Sequence, residues 1–110
     1  MPPRLIPPSN STLARRLRQA RERAGLPQDR LGVLAGLEES SSSARISRYE
    51  SGVHEPTLSF AESLARVLGV PAAFFYCSDD RLAEIILYYM GMSEAQRREF
   101  HAMAAQLAGR

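Results

Sequence analysis

The sequence has one cysteine, Cys77, no tryptophan and no lysine. A single thiol forms no intramolecular disulfide and builds no cysteine-based zinc site. His54 and His101 lie far apart, and neither stands among acids at metal-ligand spacing, so no metal or cofactor is expected. The longest apolar runs, such as 70–77, fall far short of the roughly 20 residues that cross a bilayer. The opening stretch MPPRLIPPSNS carries four prolines and no apolar core, which is not the pattern of a secretory signal. The expectation is a cytoplasmic protein without a membrane partner. No nucleophile–base pair and no carboxylate dyad stands out, which argues against an enzyme.

What is present is 110 residues, 45% hydrophobic and 24% charged, the balance of one small domain with an appendage. All 14 basic residues are arginine. A GC-rich coding sequence accounts for the absent lysine. Selection for guanidinium forks that grip phosphate or carboxylate accounts for it as well, and only placement separates the two. Residues 1–48 hold nine Arg against four acids, a net +5, whereas 49–110 hold five Arg against eight acids, a net −3. A basic front and an acidic rear suit a polyanion partner at the front. Two solvated helix faces that happen to differ would leave the same numbers.

Apolar periodicity predicts helices throughout and no strand, an all-α chain. The Pro-rich residues 1–10 read as a flexible arm, 11–78 as one domain and 79–110 as a helical hairpin. Leu13, Leu17, Ala20 and Ala24 share a face of a helix over 12–24, and Gly25 is its left-handed stop. A second helix starts at Pro27, with Leu31, Leu34 and Ala35 inward, and Gly36 ends it. A polar run, LEESSSS, precedes a third helix expected over 41–50, capped by Ser40 or Ser41, with Ile46 and Tyr49 inward and Gly52 past its end. Thr57 caps a fourth, whose stripe is Leu58, Ala61, Leu64, Ala65 and Leu68. PAAFFY reads as a short fifth helix. Leu82, Ile85, Ile86 and Tyr89 line a sixth, and Ser93 to Gln96 matches a capping box ahead of a seventh that ends near Leu107.

A pair of short helices joined by a turn, the second rich in polar and cationic side chains, fits a helix-turn-helix, though any bundle contains such pairs. More specific is the set Arg21, Gly25, Leu26, Gln28, Leu31, Gly36, Ile46, Ser47, Tyr49, Glu50, Gly52, Pro56, Leu68, Gly69 and Val70. Over about residues 13–76 this pattern resembles the Cro/cI-type (XRE) helix-turn-helix regulators. The resemblance implies a five-helix lambda-repressor-like domain that binds double-stranded DNA. By it, Ser43, Ala44, Arg45 and Arg48 face the bases, with a phosphate as the alternative for Arg45. Arg pairs bidentately with guanine, and an Ala methyl touches thymine. Gln28, at the start of the second helix, approaches a phosphate, as do Arg18, Ser47 and Ser51. Arg15, Arg16 and Arg23 also lie on the first helix, some toward the DNA backbone. Arg21 and Glu50 correspond to a structural ion pair that locks the recognition helix to the first. One departure stands out: Glu38 to Ser43 occupy a connection about four residues longer than the family's. Either the turn is longer or the third helix gains a turn at its start.

In the hairpin, Ile85, Tyr88, Tyr89, Phe100 and Met103 exceed what so small a unit needs for its own core. They are expected to make a homodimer, although packing on the fourth and fifth helices would use the same residues. The reading is therefore a dimeric repressor on a near-palindromic operator, since so short a chain leaves little room for an activating surface. The alternative is an antitoxin-like module whose hairpin binds a toxin protein.

Overall fold

A computed structural model describes residues 11–110, and the arm expected over 1–10 lies outside the described residues. Six α-helices and one 3-10 helix follow one another, with no strand among the described residues. They are α1 (Thr12–Ala24), α2 (Gln28–Leu34), α3 (Glu39–Ser51), α4 (Leu58–Leu68), a 3-10 turn (Ala72–Tyr76), α5 (Asp80–Met90) and α6 (Glu94–Leu107). The chain divides into two compact units, the second spanning Asp79–Arg110.

In the first unit the helix ends follow from local chemistry. The Ser11 hydroxyl accepts from the Ala14 N–H (3.3 Å) and opens α1, and Gly25, at φ 71°, closes it in a conformation that a side chain disfavours. Thr57 caps α4 by accepting from the Phe60 N–H (3.1 Å). Leu13 and Leu17 of α1, Leu31 of α2, Ile46 of α3, Leu64 of α4 and the pair Phe74–Phe75 form the buried core. Burying each side chain of this size contributes roughly 1.5–3 kcal/mol.

Several expectations need correction. Leu34 and Leu58, expected to face inward, are exposed, because each lies at the edge of its helix's apolar stripe. Pro27 stands outside α2 in an extended conformation as its N-cap residue. The PAAFFY segment is a 3-10 turn that nevertheless buries Phe74 and Phe75. Arg16 is 2% exposed and does not face solvent. Its Nε donates to the Cys77 carbonyl (2.8 Å), and its guanidinium lies 5.7 Å from the centre of the Phe74 ring.

The third helix begins at Glu39, two residues before the expected start; Glu38 is its N-cap residue without a side-chain cap, and Ser40 and Ser41, the expected caps, lie inside the helix. The longer connection has become helix, giving α3 thirteen residues. Ser42 explains how the added turn is held. It is fully buried, and its hydroxyl donates to the Asp29 carbonyl of α2 (2.6 Å). The hydroxyl occupies space that only a glycine leaves: a Cβ on Gly32 would lie 1.9 Å from Ser42 Oγ and 3.2 Å from Ile46.

In the second unit α5 and α6 meet near their joint. Ser93 opens α6 with both arms of a capping box, its hydroxyl accepting from Gln96 N–H (3.1 Å) and its own N–H donating to Gln96 (2.9 Å). Tyr89 and Phe100 rings pack at 6.1 Å, and Arg97 donates to the last carbonyls of α5, Tyr89 (3.0 Å) and Met90 (3.2 Å). Leu82, expected on the apolar face of α5, is exposed; Ala83 beside it is buried. No residue of α6 is buried.

Gly32→Ala tests the α2–α3 approach by its sign. An ordinary helical site gains about 1 kcal/mol from that change. Here overpacking should reverse it, with a net loss of about 1–3 kcal/mol in denaturant unfolding. An unchanged or raised midpoint would show that Ser42 turns away freely.

Candidate nucleic-acid interface

The site is built around α3. Ser42, Ile46 and Tyr49 are its buried face. The opposite face is therefore the row Ser40, Ala44, Ser47 and Ser51, spaced four, three and four residues apart, with Arg48 beside it. Ser40, Ser43, Ala44, Arg45, Ser47 and Arg48 are all exposed. Small side chains along the outermost row let the helix backbone approach a surface closely. Arg48 makes no side-chain hydrogen bond or ion pair among the described residues.

Arg45 is different. One of its terminal nitrogens, Nη2, donates to the Tyr49 hydroxyl (2.9 Å), and the guanidinium lies 6.0 Å from that ring's centre. The Tyr49 ring itself is buried and packs on Phe60 of α4 at 5.9 Å between centres.

The C-terminal half of α3 is pinned by Arg21 and Glu50. Arg21 Nε donates to Glu50 Oε2 (2.5 Å) and Nη2 to Oε1 (3.1 Å), a two-pronged pair. The third nitrogen, Nη1, donates to the Leu26 carbonyl (2.9 Å), which ties down the α1–α2 turn. The side chains are 13% and 6% exposed. The hydrogen bond to Glu50 raises the Arg21 pKa beyond its already high value, outweighing the opposite effect of burial.

Gln28 joins this pair, its Nε2 donating to Glu50 Oε1 (3.2 Å). Sequence reasoning gave Gln28 to a phosphate alone. One of its two amide hydrogens is instead spent on the carboxylate, and the second remains for another acceptor. Arg18, Arg21, Gln28, Ser47, Glu50 and Ser51 line one open cleft of about 210 Å³ beside the end of α3. All four residues expected at phosphates are thus brought together. Arg18 is exposed and paired with Glu22 (3.3 Å), and Ser51 Oγ donates to the Arg48 carbonyl (3.2 Å).

Sequence reasoning missed Ser42 and the hold of Tyr49 on Arg45, and it took Ser40 for a helix cap where the structure puts it on the outer row. The signal for Ser42 was available: it stands four residues before Ile46, so a helix begun earlier puts both on one face. In the second unit, Tyr88 and Met103 are 62% and 55% exposed, Tyr89 is at the margin of exposure, and Ile85 and Phe100 are half-buried. Met92, Gln96, Glu99, Phe100 and Met103 line an open groove there. Among the described residues no group of three or more His, Cys, Asp or Glu could hold a metal ion, and no helix is long and apolar enough to cross a membrane.

Two helices packed through Gly32 and Ser42, the second presenting a polar outer row and an open arginine, define a helix-turn-helix protein. The helix-turn-helix domain family matches residues 12–73, and the chain belongs to it. Among solved structures, the transcriptional regulator BswR is similar at 42% identity and a TM-score of 0.81, over 84% of this chain and 92% of that one. No curated protein sequence matches the chain.

Glu50→Gln keeps the size of the side chain and removes its charge. Breaking a buried pair costs about 3–5 kcal/mol, and the partial exposure of Arg21 puts the expected loss near the lower end, about 3 kcal/mol in denaturant unfolding. A loss below about 0.5 kcal/mol, the range of ordinary surface changes, would show the pair to be dispensable.

Proposed function

We propose that the protein is a sequence-specific, dimeric DNA-binding transcriptional regulator, with repression as its mode. The observation that carries this reading is the outer face of α3, small along its outermost row, open at Arg48 and locked from behind by Arg21 and Glu50. A helix of this kind enters the major groove, which is about 12 Å wide. Ser43, Ala44 and Arg48 then face base edges, and Arg48 reads guanine through O6 and N7. Arg18, Gln28, Ser47 and Ser51 take one phosphate in their cleft and set the register of the helix without reading sequence. The BswR likeness, from a protein described as a transcriptional regulator, supports the same reading.

Selection from a randomised duplex library by the full chain tests it. A near-palindromic consensus should emerge, with half-sites about 10 base pairs apart. The logarithm of the binding constant should fall linearly with that of salt. A flat salt dependence, or no enriched sequence, would remove DNA as the partner.

A second copy of the chain is the proposed occupant of the apolar side of α5 and α6. A 32-residue unit with a single buried residue, Ala83, has little core of its own. Met103 and Leu107 lie 55% and 84% exposed on α6. Tyr88→Glu and Met103→Glu, both at exposed positions, should leave the melting temperature of the first unit intact and convert a dimer to monomers in sedimentation equilibrium. Unchanged dimers in both variants would place the interface elsewhere.

A further inference from the structure

Arg45 stands on α3 next to Ala44, and adjacent residues of a helix are turned about 100° apart. It is therefore a flank residue of α3, whereas Ala44 lies on the outermost row. Glu50, which borders the cleft with Arg18 and Gln28, is five positions further on and about 140° from Arg45 around the axis. The cleft thus opens on the Glu50 flank and reaches Ser47 and Ser51 of the outermost row, whereas Arg45 stands on the other flank, with Ala44 and Arg48 between them. Arg45 is also held. The Tyr49 hydroxyl accepts from its Nη2 at 2.9 Å, and Tyr49 is itself fixed by burial against Phe60. A helix about 10–12 Å across fills the major groove, and the groove's two walls are two phosphate strands.

We infer that Arg45 is a phosphate anchor and not a base reader, and that the Tyr49 hydroxyl is its positioning group. The anchor grips the strand opposite the one that enters the Arg18–Gln28 cleft. α3 is then pinned against both walls of the groove, and base reading falls to the residues between, Arg48 above all. This rests on the DNA-binding reading given above. It commits Arg45 to one of the two partners, base or phosphate, that the sequence leaves open for it. The hold matters because an exposed arginine loses rotamer freedom when it grips an anion. Tyr49 restricts that freedom in advance, while the remaining guanidinium N–H groups stay available.

The test uses the full chain, the selected duplex and its single-base variants, with binding followed by fluorescence anisotropy across a salt series. Arg45→Ala should weaken binding about tenfold and equally for every duplex, and lower the salt slope by about one. Arg45→Lys should restore the slope, since it returns the charge. Tyr49→Phe keeps the ring against Phe60. It should weaken binding about threefold at an unchanged melting temperature, and add nothing in the Arg45→Ala background. Arg48→Ala provides the contrast, with preference lost at one base position. The inference is overturned if Arg45→Ala alters preference at a base position with an unchanged slope. It is equally overturned if Tyr49→Phe acts in full without Arg45. Failure of the unaltered chain to bind any duplex would instead bring down the DNA-binding reading itself.

Discussion

The Arg21–Glu50 pair is the constraint on which the first unit's working surface depends. It joins α1 to the last turn of α3 through two parallel hydrogen bonds, and its third arm reaches the Leu26 carbonyl between α1 and α2. Gln28 then adds the first turn of α2 to the same carboxylate. Three helices and the turn between the first two are thereby referred to one group of atoms. A pair this poorly solvated adds little net stability over an apolar substitute, but it is costly to break from one side. Its value is geometric: it fixes the axial position of α3 at the end nearest the cleft.

The opposite end of α3 is fixed by a different kind of contact. Ser42 and Gly32 meet so closely that no side chain fits between them, and the Ser42 hydroxyl satisfies itself on the Asp29 carbonyl. A buried hydroxyl without such an acceptor would cost about 1–3 kcal/mol. With it, a polar residue can occupy a core position and specify one rotation of the helix. The four additional residues before Ile46 amount to just over one turn at 3.6 residues per turn. They lengthen α3 without reversing its inner and outer faces. The outer row therefore gains Ser40 ahead of Ala44.

Much of this was legible beforehand. The end of α1 and both bounds of α4 follow from Gly25, Thr57 and Gly69, residues whose side chain, or lack of one, has a specific task at a helix end. The ion pair and the phosphate-cleft residues were named from the family pattern, and they sit together. The start of α3 was obscured because EESSSS carries no apolar period, and serine is neutral between cap, turn and helix. Ser42 hid its burial for the same reason. Arg16 was misread because an arginine on a polar-looking face gives no sign that a distant carbonyl, that of Cys77, waits for its Nε. Leu34 and Leu58 were misplaced because periodicity gives a direction but not the width of the stripe that neighbours cover. The Tyr49–Arg45 contact needed side-chain geometry, since i, i+4 spacing alone permits it without requiring it.

The arginine-only composition also takes on a sharper meaning. The net +5 of residues 1–48 overstates the charge on offer, because those nine arginines are not equivalent. Arg16 is buried on a carbonyl and a phenyl ring, and Arg21 is neutralised by Glu50. Arg18 shares its charge with Glu22, and Arg45 leans on Tyr49. Arg48 alone of the α3–cleft set is without such an engagement among the described residues. In the second unit Arg97 likewise spends separate nitrogens on two carbonyls. Arg16, Arg21 and Arg97 each use two or more nitrogens held in one plane. Lysine, a single ammonium on a flexible stem, reproduces none of those arrangements. Codon bias can remove lysine from a surface, but it cannot explain why the fork is used at these three sites. There the guanidinium is a structural part, whereas on α3 the exposed Arg45 and Arg48 keep their charge open to a polyanion.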